Sequence, residues 1–211
     1  MNPILEPQQQ RDLVLASGSP RRATILAMLG FDFEVLAVPV AEADLGHPEP
    51  VQHVERLARL KAEAAAATRA NGLFLGADTV VVVDGDILNK PLSSADALAM
   101  QRRLRDRWHT VYTGVALLDR ATGRSAVGSE STEVRFHAWD DDFLARYVAT
   151  GECDDKAGAY AIQGLGALLV REIRGCYYNV MGLPVGCFVR LLQQLRPAAA
   201  RPARRGSADA G

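Results

Sequence analysis

The chain has little of what would hold a small secreted fold together. Its three cysteines, Cys153, Cys176 and Cys187, are odd in number and show no Cys-x-x-Cys spacing. That argues against a disulfide framework or a zinc ribbon and fits a reducing cytoplasm. Bulk charge of one sign is missing too. Twenty-four basic residues against 25 acidic ones leave a formal charge of −1, so nothing argues for non-specific nucleic-acid binding. No apolar run approaches the roughly 20 residues that cross a bilayer. The opening MNPILEPQQQRD holds no apolar stretch of the kind a secretory signal needs. No internal repeat occurs, and the Gly-x-x-x-x-Gly-Lys-Ser/Thr phosphate loop is absent.

What is present is a core. Apolar residues make up 48% of the 211 positions, enough for one domain of ordinary α/β size. Residues 1–12 read as a flexible leader and residues 13–195 as a single domain. The Pro-, Ala- and Arg-rich stretch 196–211 reads as a disordered tail.

Within the domain, strands and helices interleave. Leu13 to Ala16 is a short apolar run. Ser19-Pro20 then opens a helix, with Ser at the cap and Pro at the first helical position, and Gly30 closes it. Phe33 to Val38 reads as a strand, and Pro50 to Arg69 as a long Ala-rich helix. The Val-rich Leu73 to Val83 ends in Asp84-Gly85, a hairpin signal. A helix capped by Ser93 or Ser94 runs to Leu104. Strands are expected near Thr110 to Asp119 and Ser129 to Ala138, and a helix from Asp140 to Thr150. Strands near Ala167 to Ile173 and Tyr177 to Val180 precede a last helix, Pro184 to Leu195. The adjacent strands in the middle favour a mixed sheet over a purely parallel one.

Four segments carry candidate chemistry. The first, SGSPRR (Ser17 to Arg22), joins the first strand to the first helix. Free N–H groups and the dipole of a helix N-terminus attract anions. Arg21 and Arg22 are badly placed against that dipole unless a polyphosphate lies there, which arginine grips with a bidentate fork. The second is Asp78-Thr79, inside the apolar run LFLGADTVVVVDG. A carboxylate on such a strand is costly unless paired, hydrogen-bonded or metal-bound. It could hold a divalent cation or act as general base on water. The third is Lys90, at a strand end, with Lys61 on the long helix; each could neutralise phosphate as a point cation. Glu42, in PVAEAD, could supply a second metal-facing carboxylate. The fourth is GECDDKAGAYAIQGLGALLV, with Gly151, Gly158, Gly164 and Gly166 around Asp155, Lys156 and Gln163. Its glycines suit tight turns or close approach to a ligand. The Gln163 amide carries both a donor and an acceptor, and so matches the O4 and N3–H edge of uracil or thymine.

Taken together, LVLASGSPRRATILAMLGFDFEV, RLARLKA, GADTVVV, LNKP, HTVYTGVAL and DKAGAYAIQGLGALLVREIRGCYYNVMGLP resemble the Maf family of nucleotide pyrophosphatases. They follow the family's order over most of Leu13 to Leu195. The DKAGAY-x-IQG form resembles the branch that hydrolyses dTTP and UTP. The resemblance implies an α/β fold of the Maf/ITPase kind: a curved mixed β-sheet with flanking helices, and two lobes around a cleft. It implies a small-molecule nucleoside triphosphate as substrate, Mg²⁺ or Mn²⁺ as cofactor, and a homodimer. By position it makes Asp78 the catalytic base. It links Arg21, Thr79 and Gln163 to substrate choice, and places Ser17, Lys61, Lys90 and Lys156 at the phosphate side. Glu42 falls near the metal with Asp78. The chain departs from the family pattern at Ala41, Leu60 and Ala161. Two other readings stand beside it: a pyrophosphatase for modified nucleotides such as 7-methyl-GTP, and a nucleotide-binding regulator of cell division without turnover.

Overall fold

A computed structural model describes residues 12–40 and 49–195, together with Ile4. The tail 196–211, Glu42 and, apart from Ile4 and Asp12, the leader lie outside the described residues.

The described residues form one mixed sheet of seven strands: β1 (Leu13–Leu15), β2 (Phe33–Val35), β3 (Leu73–Val83), β4 (Asp86–Leu88), β5 (Trp108–Asp119), β6 (Ser125–Phe136) and β7 (Val170–Arg174). The order is β2-β1-β3-β5-β6-β7, with β4 paired to the far end of β3. β1 lies parallel to both β2 and β3, and the remaining pairs are antiparallel. Helices α1 (Pro20–Met28), α2 (Pro50–Ala66), α3 (Ser94–Leu104), α4 (Asp141–Ala149), α5 (Tyr177–Met181) and α6 (Val185–Gln194) flank it.

The packing of α2 decides where the site falls. Its buried face is built from Val54, Leu57, Ala58, Ala62, Ala65 and Ala66, mostly small residues that let the helix come close. The strands below answer with glycine. A Cβ on Gly76 would lie 2.0 Å from the Ala58 carbonyl oxygen, and one on Gly114 would lie 2.3 Å from that of Val54. The helix backbone therefore rests on the sheet backbone, and Lys61, one turn beyond Leu57, reaches Asp78 on β3.

The strand registers leave a gap beside that residue. β1 pairs with β3 only over Leu73 to Leu75, and β4 only over Val81 to Val83. Along Gly76 to Val80 no described strand covers that edge of β3. The chain leaving β1 turns into α1 there, and the crevice opens at the carboxyl end of the parallel strand pair, where ligands collect in α/β sheets. Two apolar cores stand on either side. One gathers Leu15, Ile25, Leu26, Phe31 and Phe188; the other gathers Val81, Leu104, Phe136, Leu144 and Tyr160. A third, of Val14, Ala58, Ala62 and Phe74, lies under α2.

Two local expectations fail. Tyr177 to Val180 is not a strand but the helix α5, which ends at Gly182 in the left-handed region (φ 106°). Its aromatic and β-branched residues favour extended backbone, but the Asn179 side chain binds the Val111 carbonyl and the Thr132 hydroxyl across the sheet, at 2.9 and 3.0 Å. Tertiary bonding overrides propensity there. The stretch from Ala167 does not begin a strand either. Residues Gly164–Leu168 form a 3-10 turn, and β7 starts only at Val170.

Candidate active site

Ser17 leaves β1 as a buried residue, and its hydroxyl is spoken for. It accepts from the Ser19 N–H at 3.3 Å and from Arg22 Nη1 at 2.7 Å. Ser19 takes the cap position of α1 but makes no side-chain capping bond; Ser17 does the ordering instead. Arg22 is buried, with 8% of its surface exposed. It also donates through Nε to the Gly182 carbonyl at 2.7 Å and through Nη2 to Thr79 Oγ1 at 3.1 Å. One guanidinium thus ties α1, β3 and the end of α5. Burial lowers its pKa to about 10, against the opposing pull of Asp78, so the group stays charged at neutral pH.

Thr79 continues the chain. Thr113 Oγ1 donates to the Asn179 carbonyl at 3.0 Å, so the 2.9 Å contact between the two threonine hydroxyls has Thr79 as donor. The Thr79 hydroxyl proton is therefore used inside the protein, and a lone pair is taken by Arg22.

On the opposite face of β3, Asp78 meets Lys61: Nζ to Oδ1 is 2.6 Å, with both side chains largely buried at 17% and 13% exposure. This contact answers the cost of an acid on an apolar strand.

From the other lobe comes the glycine-rich segment. Lys156 Nζ donates to Asp155 Oδ1 at 2.6 Å and to the Glu152 carbonyl. Asp155 reaches across to Arg21 at 3.7 Å. Burial pushes the Asp155 carboxyl up, but Lys156 and Arg21 outweigh it and hold it below the usual range. Gln163 stands half-buried at the start of the 3-10 turn.

These groups line one cavity of about 610 Å³. Ser17, Arg21, Lys61, Asp78, Thr79, Lys90, Lys156 and Gln163, all singled out in the sequence, share its wall. Five cationic side chains, Arg21, Arg22, Lys61, Lys90 and Lys156, face it against two carboxylates, Asp78 and Asp155. A nearly neutral chain concentrates its positive charge here, which focuses the field on an anion. Arg22, read from the sequence as a phosphate grip beside Arg21, and Asp155 also line the wall, as do His53 and Tyr160, on which the sequence placed no role. For His53 a signal existed: it stands with Leu57 and Lys61 at four-residue spacing on one face of α2.

Could these residues hold a divalent cation? Among the described residues, no cluster of three or more His, Cys, Asp or Glu side chains forms a self-sufficient metal site. Mg²⁺ needs less, since it takes one or two carboxylates and completes its shell with water and substrate phosphate. Asp78, the carboxylate on that wall paired with Lys61, is the candidate for that partial role, with the negative charge of a bound polyphosphate needed to offset the surrounding cations.

Fold and site together define a mixed-sheet α/β protein whose cleft gathers cations around one largely buried acid. The sequence places it more closely. The Maf-like protein family model matches residues 12–195, and the chain belongs to that family. It is 44% identical to the dTTP/UTP pyrophosphatase of Pelotomaculum thermopropionicum, over 87% of this chain and 96% of that one. It is 50% identical to the protein of the same name from Moorella thermoacetica, over 82% and 89%. The one from Dictyoglomus thermophilum is 42% identical, over 88% and 97%. Among solved structures, the Staphylococcus aureus Ham1 protein overlays with a TM-score of 0.46 at 15% identity, covering 74% of this chain and 78% of its own.

Proposed function

We propose that the chain hydrolyses dTTP and UTP to the monophosphate and pyrophosphate. The observation that carries this reading is the single cavity in which Asp78, its partner Lys61 and the cations of the SGSPRR and DKAGAY segments meet. The name borne by relatives at 42–50% identity supports the same substrate class.

In this reading the triphosphate lies across the start of α1. Arg21, Lys61, Lys90 and Lys156 spread its charge, and Arg22 adds a fixed positive field from behind Ser17. The Asp78 carboxylate takes a proton from a water molecule. The water oxygen bonds to the α-phosphorus, the bond from that phosphorus to the α–β bridging oxygen breaks, and pyrophosphate leaves with the electron pair. Positioning and charge neutralisation supply most of the acceleration in such transfers. Mg²⁺ or Mn²⁺ is the cofactor of this reading; Asp78 would hold it, and it would supply further neutralisation of the polyphosphate. Glu42 is a candidate second ligand. Gln163 reads the pyrimidine edge. Thr79, whose hydroxyl is engaged by Arg22 and Thr113, is better assigned to holding Arg22 than to the base.

Asp78→Asn tests the central assignment. Turnover should fall by at least about 100-fold, the usual scale for a lost general base, with the fold retained by circular dichroism. Pyrophosphate release at near wild-type rate would remove Asp78 from the role of base. A panel of UTP, dTTP, CTP, GTP and 7-methyl-GTP, assayed for pyrophosphate with Mg²⁺ and Mn²⁺, tests the substrate class. Release from none of them would leave a nucleotide-binding regulator.

A further inference from the structure

Glu152 does not line the cavity, yet it is the most heavily engaged carboxylate next to it. Its Oε1 accepts from the Gly166 N–H at 2.8 Å and from the Tyr147 hydroxyl at 3.1 Å, and its Oε2 accepts from the Leu165 N–H at 3.0 Å. The Tyr147 hydroxyl in turn accepts from the Ala161 N–H at 3.3 Å. The backbone is therefore held two residues before Gln163 and two and three residues after it by one Tyr147–Glu152 pair. The Glu152 carbonyl meanwhile receives the Lys156 ammonium. One residue outside the cavity thus sets both the side chain proposed to read the base and a cation proposed to hold phosphate.

We propose that Glu152 is a specificity-determining positioning residue: its carboxylate fixes the loop that aims Gln163 at the pyrimidine edge. The physics is that of a charged cap. The Leu165 N–H, at the start of a 3-10 turn, has no acceptor within the turn, and a carboxylate that binds it together with the next N–H is a charge-assisted clamp. Without it the turn is free to re-register, and a shift of about 1 Å at a substrate-positioning group is enough for a large loss of rate. The proposal rests on the reading of Gln163 given above.

The test is a selectivity ratio, which a merely structural role would not move. Glu152→Ala, Glu152→Gln, Gln163→Ala and the double variant Glu152→Ala/Gln163→Ala are assayed in the full chain for kcat and KM with UTP and GTP, with Mg²⁺ present. Glu152→Ala should cut kcat/KM for UTP by about 10- to 100-fold, the scale of losing hydrogen bonds to a charged group, chiefly through KM. The GTP value should move less than about 3-fold, so the UTP to GTP ratio collapses. Glu152→Gln keeps an acceptor for one N–H and should recover part of the ratio; it carries the test if Glu152→Ala does not fold. The double variant should be no less selective than Gln163→Ala alone, because Glu152 acts through Gln163. If Gln163→Ala collapses the ratio and both Glu152 variants keep it, the clamp is overturned and the base reading stands. If Gln163→Ala also keeps the ratio, the base reading falls and the clamp falls with it. Additive losses in the double variant overturn action through Gln163.

Discussion

Single residues in this protein are informative where they are buried and polar. His109 is the clearest case outside the cavity. Its Nε2 meets the Tyr160 hydroxyl at 2.9 Å, and its ring lies edge-on to Phe136 and Tyr160. Burial pushes its pKa down to about 3, whereas in the unfolded chain it returns to near 6.5. The folded state therefore refuses a proton that the unfolded state accepts. The His109 contribution is fully present above pH 6.5 and is lost as pH falls toward 3. Between pH 7 and pH 5 this amounts to about 2 kcal/mol. His109→Gln keeps a hydrogen-bonding side chain but cannot titrate. Denaturant unfolding of both proteins at pH 7 and pH 5 should show wild-type losing about 2 kcal/mol more than the variant. Parallel losses would mean that His109 titrates alike in both states. Since Tyr160 lines the cavity, this acid-sensitive contact lies directly behind its wall.

Among the elements, α2 matters most to chemistry, because its closeness to the sheet is what delivers Lys61 to Asp78. Gly114→Ala tests this. The added methyl would meet the Val54 carbonyl, which is backbone and has nowhere to go. Overpacking of this kind costs about 1–3 kcal/mol. The variant should unfold that much more easily, and its turnover at a temperature where it is fully folded should also drop, since lifting α2 withdraws Lys61 from Asp78. Lost stability with unchanged kcat would uncouple the helix from the site. Much of this architecture could be read in advance. Pro50, the alanine periodicity and the unbroken valine run marked α2 and β3 to within a few residues, and the family resemblance grouped Ser17, Lys61, Asp78, Lys156 and Gln163, which line one cavity. The partners of those residues could not be read. Beyond its local bond to Ser17, Arg22 reaches residues 57 and 160 positions away in sequence, and no local spacing encodes such a reach. Helix α5 escaped for the same reason: an Asn side chain bonded across the sheet outweighs what Tyr177 to Val180 would prefer alone.

At the scale of the whole molecule, the cleft is a joint between two cores that hold few groups in common. The side of α1 and α6 contributes Ser17, Arg21 and Arg22; the side of α3 and α4 contributes Asp155 and Lys156; Gln163 follows Ile162, which packs into the first core; β3 passes between the two sides carrying Asp78. Across the opening, the Arg21–Asp155 pair is long, at 3.7 Å, with 27% and 60% of the side chains exposed. Such a pair is worth at most about 1 kcal/mol in water. The free protein thus has a weak bond where a bound triphosphate would place several strong ones, because phosphate oxygens can engage Arg21 and Lys156 together where a single half-solvated carboxylate now stands. A ligand bridging both lobes binds only the folded state, so at 100 times its Kd it stabilises that state by about 2.7 kcal/mol. For a chain of this size the melting midpoint should rise by about 5–10 °C. The measurement uses a non-hydrolysable UTP analogue with Mg²⁺, and separately UTP itself with the Asp78→Asn variant. Both should sharpen unfolding into one transition at the higher temperature, since neither lobe can open while the ligand spans them. Binding that left the midpoint unmoved, or raised it for only one of two separated transitions, would place the nucleotide on a single lobe and remove the cleft as the seat of the reaction.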